Sequence, residues 1–237
     1  MTAHPHPHPH PQPHSHPPAP GLERFRHIVI EGPIGVGKSS LARKLAQHLG
    51  AALLLEQPDD NPFLGRFYAD MPGYAFQTQL FFLFQRVKQM RTAQQPGMFD
   101  NAVVGDFLFS KDALFARLNL SDDEFRLYTQ MYTQIATQVA EPDLVVWLQA
   151  SPATLMQRIA RRAIPIEKGI TSGYLQRLCD AYVEYFHAYE GAPVFAIGTA
   201  HFNPVDRDAD FATLLERLAL FRGRREFFNS HVEVPFG

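Results

Sequence analysis

With a single cysteine, Cys179, the chain cannot close an intramolecular disulfide, which fits a reducing compartment and leaves helix packing as the expected role of that thiol. No uninterrupted apolar run is long enough to span a bilayer, and the N-terminus lacks the basic-then-apolar layout of a secretory signal. There is no basic surplus either: 22 Lys and Arg face 24 Asp and Glu, a formal charge of -2. That excludes the electrostatic footprint of a protein gripping nucleic acid through its phosphates, while leaving room for small acidic ligands. The expectation is a soluble, cytoplasmic protein with neither a nucleic-acid nor a membrane partner. At 237 residues and 46% hydrophobic content it can bury one sizeable core.

What is present divides at about residue 21. The segment "HPHPHPHPQPHSHPPAP" holds six of the eleven histidines and eight of the nineteen prolines, with almost nothing that could enter a core. Residues 1–21 therefore read as a polyproline-like disordered tail whose alternating imidazoles can bind a transition metal weakly. Residues 22–237 read as one domain. In it, short aliphatic runs alternate with helical stretches, the pattern of an α/β fold whose parallel sheet is flanked by helices. Five strands are expected, "HIVIE" at 27–31, "ALLLE" at 52–56, "AVVGD" at 102–106, "LVVWLQ" at 144–149 and "PVFAI" at 193–197. Helices are expected over 38–49, 73–94, 121–139, 152–163, 172–189 and 207–220. Ser121 with Glu124 forms a capping box at the start of the third.

Between the first strand and the first helix stands "GPIGVGKS", which fits G-x-x-x-x-G-K-[ST] in the strand-turn-helix context that makes the motif specific. Glycines such as Gly32, Gly35 and Gly37 let the main-chain amides of Val36 through Ser40 turn toward phosphate oxygens. The helix N-terminus adds partial positive charge, Lys38 reaches the terminal phosphates, and Ser39 supplies a hydroxyl for magnesium. This is a P-loop NTPase-type arrangement for ATP and Mg2+.

Ligands of such sheets sit beyond the carboxyl ends of the strands, so acids there are the first candidates for chemistry. Glu56 closes the second strand and Asp106 the third. In "RIARRAIPIEKGI", Arg158, Arg161 and Arg162 share one helix face ahead of Pro165 and Gly169, which suits an arginine-bearing lid over phosphates.

These pieces, together with "LLLEQPDDNPFLGRFY", "YAFQTQLFFLFQR", "DFLFSKDALFA", "DLVVWLQASPATLMQRI" and "EKGITSGYLQRLCDAY", resemble the deoxynucleoside kinase family from about residue 26 to 200. The resemblance implies transfer of the γ-phosphate of ATP to a deoxyribonucleoside 5′-hydroxyl, with magnesium, in a homodimer serving nucleotide salvage. It further implies Glu56 as the base for the 5′-hydroxyl, with Asp106 near the magnesium and Lys38, Arg158 and Arg162 on the phosphates. Tyr68 and Glu167 would bind the sugar 3′-hydroxyl, Gln77 would read the base, Phe81 would stack on it and Asp112 would lie beside it. Spacing agrees for Gln77, which shares a helix face with Leu80, Phe81 and Phe84 and should be buried.

Three positions depart from the family pattern. Phe107, Phe84 and Ile164 stand where arginines are expected, and Asp112 is then left without an arginine partner, either to meet an amine-bearing base directly or to stand unpaired in a less polar pocket with a raised pKa. A purine is favoured on that reading, deoxyadenosine first. A thymidylate kinase-like nucleotide kinase and a non-catalytic nucleotide sensor remain as alternatives; the first shares the arginine that Phe107 replaces, and the second has no use for Glu56. Deleting residues 1–20 should leave phosphate transfer within about twofold of the full chain, because such a tail makes no packed contacts; a collapse of turnover on truncation would give the tail a catalytic part.

Overall fold

A computed structural model describes residues 21–93, 102–136 and 139–229. Its centre is β1 (His27–Glu31), whose three middle residues Ile28, Val29 and Ile30 are buried, as a strand covered on both faces must be. β1 pairs in parallel with β3 (Val103–Gly105) on one side and β4 (Leu144–Gln149) on the other. β2 (Ala52–Leu54) extends the sheet beyond β3, β5 (Val194–Gly198) beyond β4, and β6 (Arg225–Phe228) beyond β5. The order is β2-β3-β1-β4-β5-β6.

The sheet therefore has six strands where five were expected. The sixth, "REFF", is a short edge strand with alternating exposure and no aliphatic run, so it lacks the pattern of a buried parallel strand. It is held by its second phenylalanine: Phe228 stacks on Phe195 of β5 and meets Phe202 edge-on.

The helices are α1 (Lys38–Leu49), α2 (Leu64–Ala69), α3 (Met71–Ala93), α4 (Asp112–Asn119), α5 (Asp122–Ala136), α6 (Pro152–Arg162), α7 (Ser172–Ala188) and α8 (Asp208–Leu220). The short α2 and α4 were not expected. Both are brief and lie in stretches that do not repeat an apolar period, yet both carry residues of the site. α5 begins with the foreseen box: the Ser121 amide donates to Glu124 Oε2 at 2.9 Å and the Glu124 amide to Ser121 Oγ at 3.4 Å. The expected His/Pro tail and the aromatic end beyond Asn229 lie outside the described residues.

Because every pairing is parallel, the carboxyl ends of the strands gather on one edge of the sheet. β1 connects through α1 to β2 on one side, whereas its neighbour β3 connects across it to β4 on the other, so the connections from these adjacent strands diverge and a crevice opens at their carboxyl ends. Glu31, Glu56, Asp106 and Thr199 all fall at this edge.

Candidate active site

The loop after β1 forms first. Gly32 has φ of 151°, and a Cβ there would come within 2.4 Å of the Leu148 carbonyl oxygen, so no other residue fits between β1 and β4. Gly37, at φ of 105°, caps α1 in the left-handed region and turns the chain into the helix. Lys38 folds back over the loop, donating to the carbonyls of Gly32 at 2.7 Å and Pro33 at 3.2 Å. Burial lowers the Lys38 ammonium to about 8; Lys111 pushes the same way, while Glu31, Glu56 and Asp106 oppose it.

Beside this loop the first two acids interlock. Ser39 Oγ donates to Asp106 Oδ2, and the Glu56 amide donates to Asp106 Oδ1 at 2.7 Å. Asp106 thus fixes the end of β2 to the start of α1. Burial raises its carboxyl pKa despite those two hydrogen bonds, so its charge is under-compensated. A serine hydroxyl and such a carboxylate are hard oxygen donors suited to magnesium, which takes one or two carboxylates and completes its shell with water and phosphate. Among the described residues no three His, Cys, Asp or Glu side chains are placed to enclose a metal.

Glu56, Lys38, Ser39 and Asp106 line a cavity of about 460 Å³, within the range of small-molecule sites. Tyr68 of α2, Phe82 and Arg86 of α3, Lys111, Phe115 of α4, and Arg162 and Glu167 of the segment between α6 and α7 line it too. Arg162 Nε donates to Glu167 Oε2 at 2.8 Å, tying the end of α6 to the 3-10 turn Pro165–Glu167. That turn leans on α2: a Cβ on Gly169 would lie 2.5 Å from the Tyr68 carbonyl oxygen, so glycine permits the approach that brings Tyr68 and Glu167 to one wall.

Arg86 is the member that sequence reasoning missed. It is 3% exposed and forms ion pairs with both Glu56 and Asp112, with Nε donating to Glu56 Oε1 at 2.9 Å. Burial would raise the Glu56 carboxyl, but Arg86, Lys111 and Lys38 outweigh it and hold the group at about 2. Asp112, fully buried, also accepts from the Tyr128 hydroxyl.

Four expectations change accordingly. Gln77 is exposed; the buried amide two residues on is Gln79, which lines the cavity and donates to the Asp112 carbonyl at 3.1 Å. Phe81 does not line the cavity whereas Phe82 does. Asp112 is not free to meet a ligand, since Arg86 and Tyr128 occupy its carboxylate. The arginine thought absent at Phe84, which is 52% exposed, is supplied by Arg86. All four have one cause. α3 carries aromatic and aliphatic side chains around most of its circumference, so periodicity does not identify the buried face. Arg86 stands among Gln85, Lys88 and Gln89, so the sequence carried no local signal that it turns inward toward two acids.

Arg158 also stands elsewhere. It donates to the Val36 carbonyl at 3.2 Å and to Thr199 Oγ1 and O at 3.1 Å, lining a second cavity of about 310 Å³ with Gly35, Gly37, Ser40, Arg161, Asn203 and Val205. It faces the side of the phosphate loop away from Glu56. Arg162 borders both cavities, as do Gly35, Gly37 and Ser40, so the loop and the lid arginine stand between two ligand-sized spaces. Ile164 adds an apolar contact to the first cavity where an arginine was expected.

A family model described as deoxynucleoside kinase matches residues 28–220. The chain is 35% identical over 156 residues to the deoxyguanosine kinase of Bacillus subtilis (strain 168), covering 65% of this chain and 75% of that one. It is 31% identical over 205 residues to the deoxyguanosine kinase of Lactobacillus acidophilus, covering 81% and 88%. To the deoxyadenosine kinase of L. acidophilus it is 32% identical over 184 residues, covering 72% and 84%. Among solved structures, the deoxyadenosine kinase from M. mycoides with dCMP and dCDP superposes with a TM-score of 0.71 at 23% identity, covering 82% of this chain and all of that one.

The Lys38 environment sets a proton linkage. In the ligand-free protein the ammonium begins to deprotonate near pH 8, and triphosphate oxygens favour the charged form. ATP binding should therefore take up a fraction of a proton at about pH 8.5 and almost none below about pH 7, with affinity falling as pH rises above 8. Calorimetry in buffers of different ionisation enthalpy measures the uptake, and Lys38→Met should abolish it; equal uptake in that variant would assign the proton elsewhere.

Proposed function

Because the chain belongs to the deoxynucleoside kinase family, we propose that it transfers the γ-phosphoryl group of ATP to the 5′-hydroxyl of a purine deoxyribonucleoside, deoxyguanosine ahead of deoxyadenosine. The observation that carries this reading is the placement of Glu56: an ionised carboxylate in a nucleoside-sized cavity, shared with the Lys38 and Ser39 side chains of the phosphate loop.

The acceptor lies in the larger cavity. Its 5′-hydroxyl meets Glu56, its 3′-hydroxyl lies between Tyr68 and Glu167, and its base reaches toward Gln79 and Arg86 over Phe82. ATP enters from the other side of the loop, its phosphates on the amides of Gly35 through Ser40 and its base beside Arg158 in the second cavity. Ser39 and Asp106 would hold the magnesium, which when bound neutralises charge on the phosphate oxygens. Lys38 exchanges its two loop carbonyls for the γ-phosphate, and Arg162 approaches the same group from the lid side. The attacking 5′-oxygen forms its bond to phosphorus as the bridging bond to ADP breaks, and its proton passes to Glu56.

Arg86 decides the order of purines. Asp112, the carboxylate that could take the exocyclic amine of adenine, is occupied, whereas Arg86 and Gln79, both lining the cavity, keep N–H hydrogens beyond those given to Glu56, Asp112 and the Asp112 carbonyl. Guanidinium donors match the O6 and N7 acceptors of guanine better than the amine of adenine, as in base reading elsewhere. The relatives include kinases named for deoxyguanosine and for deoxyadenosine, so the order of purines rests on the wall residues alone. A homodimer is also part of the proposal: α3 turns Phe84 outward and the neighbouring α5 leaves Leu127 half exposed, apolar surface that a second copy would cover. Among the described residues no helix is long and apolar enough to cross a membrane.

Transfer from labelled ATP to the four deoxyribonucleosides and thymidylate tests the reading. The expected order of kcat/KM is deoxyguanosine, deoxyadenosine, then the pyrimidines, with no transfer to thymidylate; a pyrimidine in first place would overturn the base assignment, and no transfer to any nucleoside would overturn the reaction. Glu56→Gln should cut kcat by roughly two to four powers of ten while ATP binding persists, and undiminished turnover would remove Glu56 from the proton path.

A further inference from the structure

Phe107 leaves the site short of a cation. Its ring is buried and turned away from the acceptor cavity, lining a small cavity of about 80 Å³ with His27, Met90 and Tyr132. Four residues further along the chain stands Lys111, 2% exposed, and its side chain lines the acceptor cavity together with Lys38, Glu56 and Asp106. A lysine so buried requires a partner, and it has one: Nζ lies 3.3 Å from Glu31 Oε1.

Glu31 is itself fully buried and well supplied. It accepts from the amides of Gly32 at 2.8 Å and Leu108 at 2.7 Å and from the Tyr182 hydroxyl at 2.8 Å. With three donors already in place, it does not need Lys111 for satisfaction, and the 3.3 Å contact is the longest of the four. The ammonium has two further donors that can face the cavity. Its field reaches both reacting partners, lowering the Glu56 carboxyl and the Lys38 ammonium alike.

We propose that Lys111 is a catalytic residue of the transfer, its ammonium, braced by Glu31 at the carboxyl end of β1, binding the transferred phosphoryl group opposite Lys38 and so taking over the charge absent at Phe107. This rests on the phosphotransfer reading above. Lysine suits the task as a compact point charge on a flexible four-carbon stem, here reaching the cavity from four residues beyond the expected site. Charge on the transferred group is spread over three oxygens, and Lys38 and Arg162 reach it from the loop and the lid. Lys111 enters from the start of α4, where the other lining cation, Arg86, is already committed to Glu56 and Asp112.

The test separates this role from simple support of Glu31. Lys111→Met should lower kcat with the best nucleoside by about two to three powers of ten, the scale of losing one charge stabiliser in the transition state, while the Kd values for ATP and nucleoside change only a few-fold. Pairing it with Glu31→Gln removes the buried carboxylate that the single variant leaves without its cation. If Lys111 acts on the phosphoryl group, the double variant folds, as its circular dichroism shows, and remains as slow as the single one. Recovery of kcat in the double variant, or full turnover in Lys111→Met, would overturn the proposal. Wild-type transfer measured in the same assay distinguishes that failure from failure of the reaction itself.

Discussion

A buried guanidinium with a carboxylate on each side organises this protein. Arg86 rises from the middle of α3 between Glu56, at the end of the β2 edge, and Asp112, at the start of α4, and it pairs with both. Each carboxylate has a further hold: Asp112 takes the Tyr128 hydroxyl from α5, and the Glu56 main chain is fixed through Asp106 to Ser39. One charge network thus runs from the helical side of the cavity to the phosphate loop. Removing one partner of such a pair typically costs about 3–5 kcal/mol, because the other charge stays buried alone. The network therefore sets the distance between the base-binding wall and the phosphate loop as rigidly as any strand pairing.

The lid is organised on the same plan with less burial. Arg162 and Glu167 pair across the turn after α6, where Arg162 is 41% exposed on its side chain and Glu167 only 11%. A pair open to solvent on one partner contributes little to stability and exchanges readily. In the proposed transfer Arg162 leaves Glu167 for a phosphate, and Glu167 is then released to a sugar hydroxyl. Gly169 keeps the turn close enough to Tyr68 for that exchange to occur inside the cavity. A rigid buried clamp on one wall and a labile pair on the other match what transfer needs: a fixed acceptor oxygen, and a lid that responds to the donor.

Much of this was legible in the sequence, for reasons that particular residues make plain. β1, β4 and α1 fall where aliphatic runs and the glycine-rich turn place them, because fully covered strands and a phosphate loop leave few alternatives to those residues. Lys38, Ser39, Glu56, Tyr68, Asp106, Arg162 and Glu167, all expected in a site, line one cavity. The face of α3 was not legible. A helix with one apolar stripe declares which side is buried; α3 has a second, formed by residues such as Phe76, Leu80 and Phe84, so Gln77 was preferred to Gln79 and Arg86 was not singled out. Lys111 escaped notice for a related reason: its charge serves a strand-end site from a neighbouring loop, a displacement of four residues that only the folded chain reveals. β6 carries too few aliphatics to register as a strand at all.

The charge around Glu56 constrains how the proton moves. A carboxylate held at about 2 is a poor base toward a ground-state alcohol, since its affinity for a proton is far below that of an alkoxide. In the proposed transfer it becomes competent only as the 5′-oxygen bonds to phosphorus and acidifies. The loose character of phosphoryl transfer favours that timing, because little negative charge needs to develop on the attacking oxygen before phosphorus arrives. Arg86 therefore serves orientation more than basicity: it keeps Glu56 ionised and fixed so that the hydroxyl hydrogen points at the carboxylate and a lone pair points at phosphorus. A more basic, loosely held carboxylate would be at greater risk of arriving protonated and would spend part of its time aimed elsewhere. Here positioning outweighs proton affinity, as it must in a reaction where most of the barrier lies in bringing two electron-rich groups together.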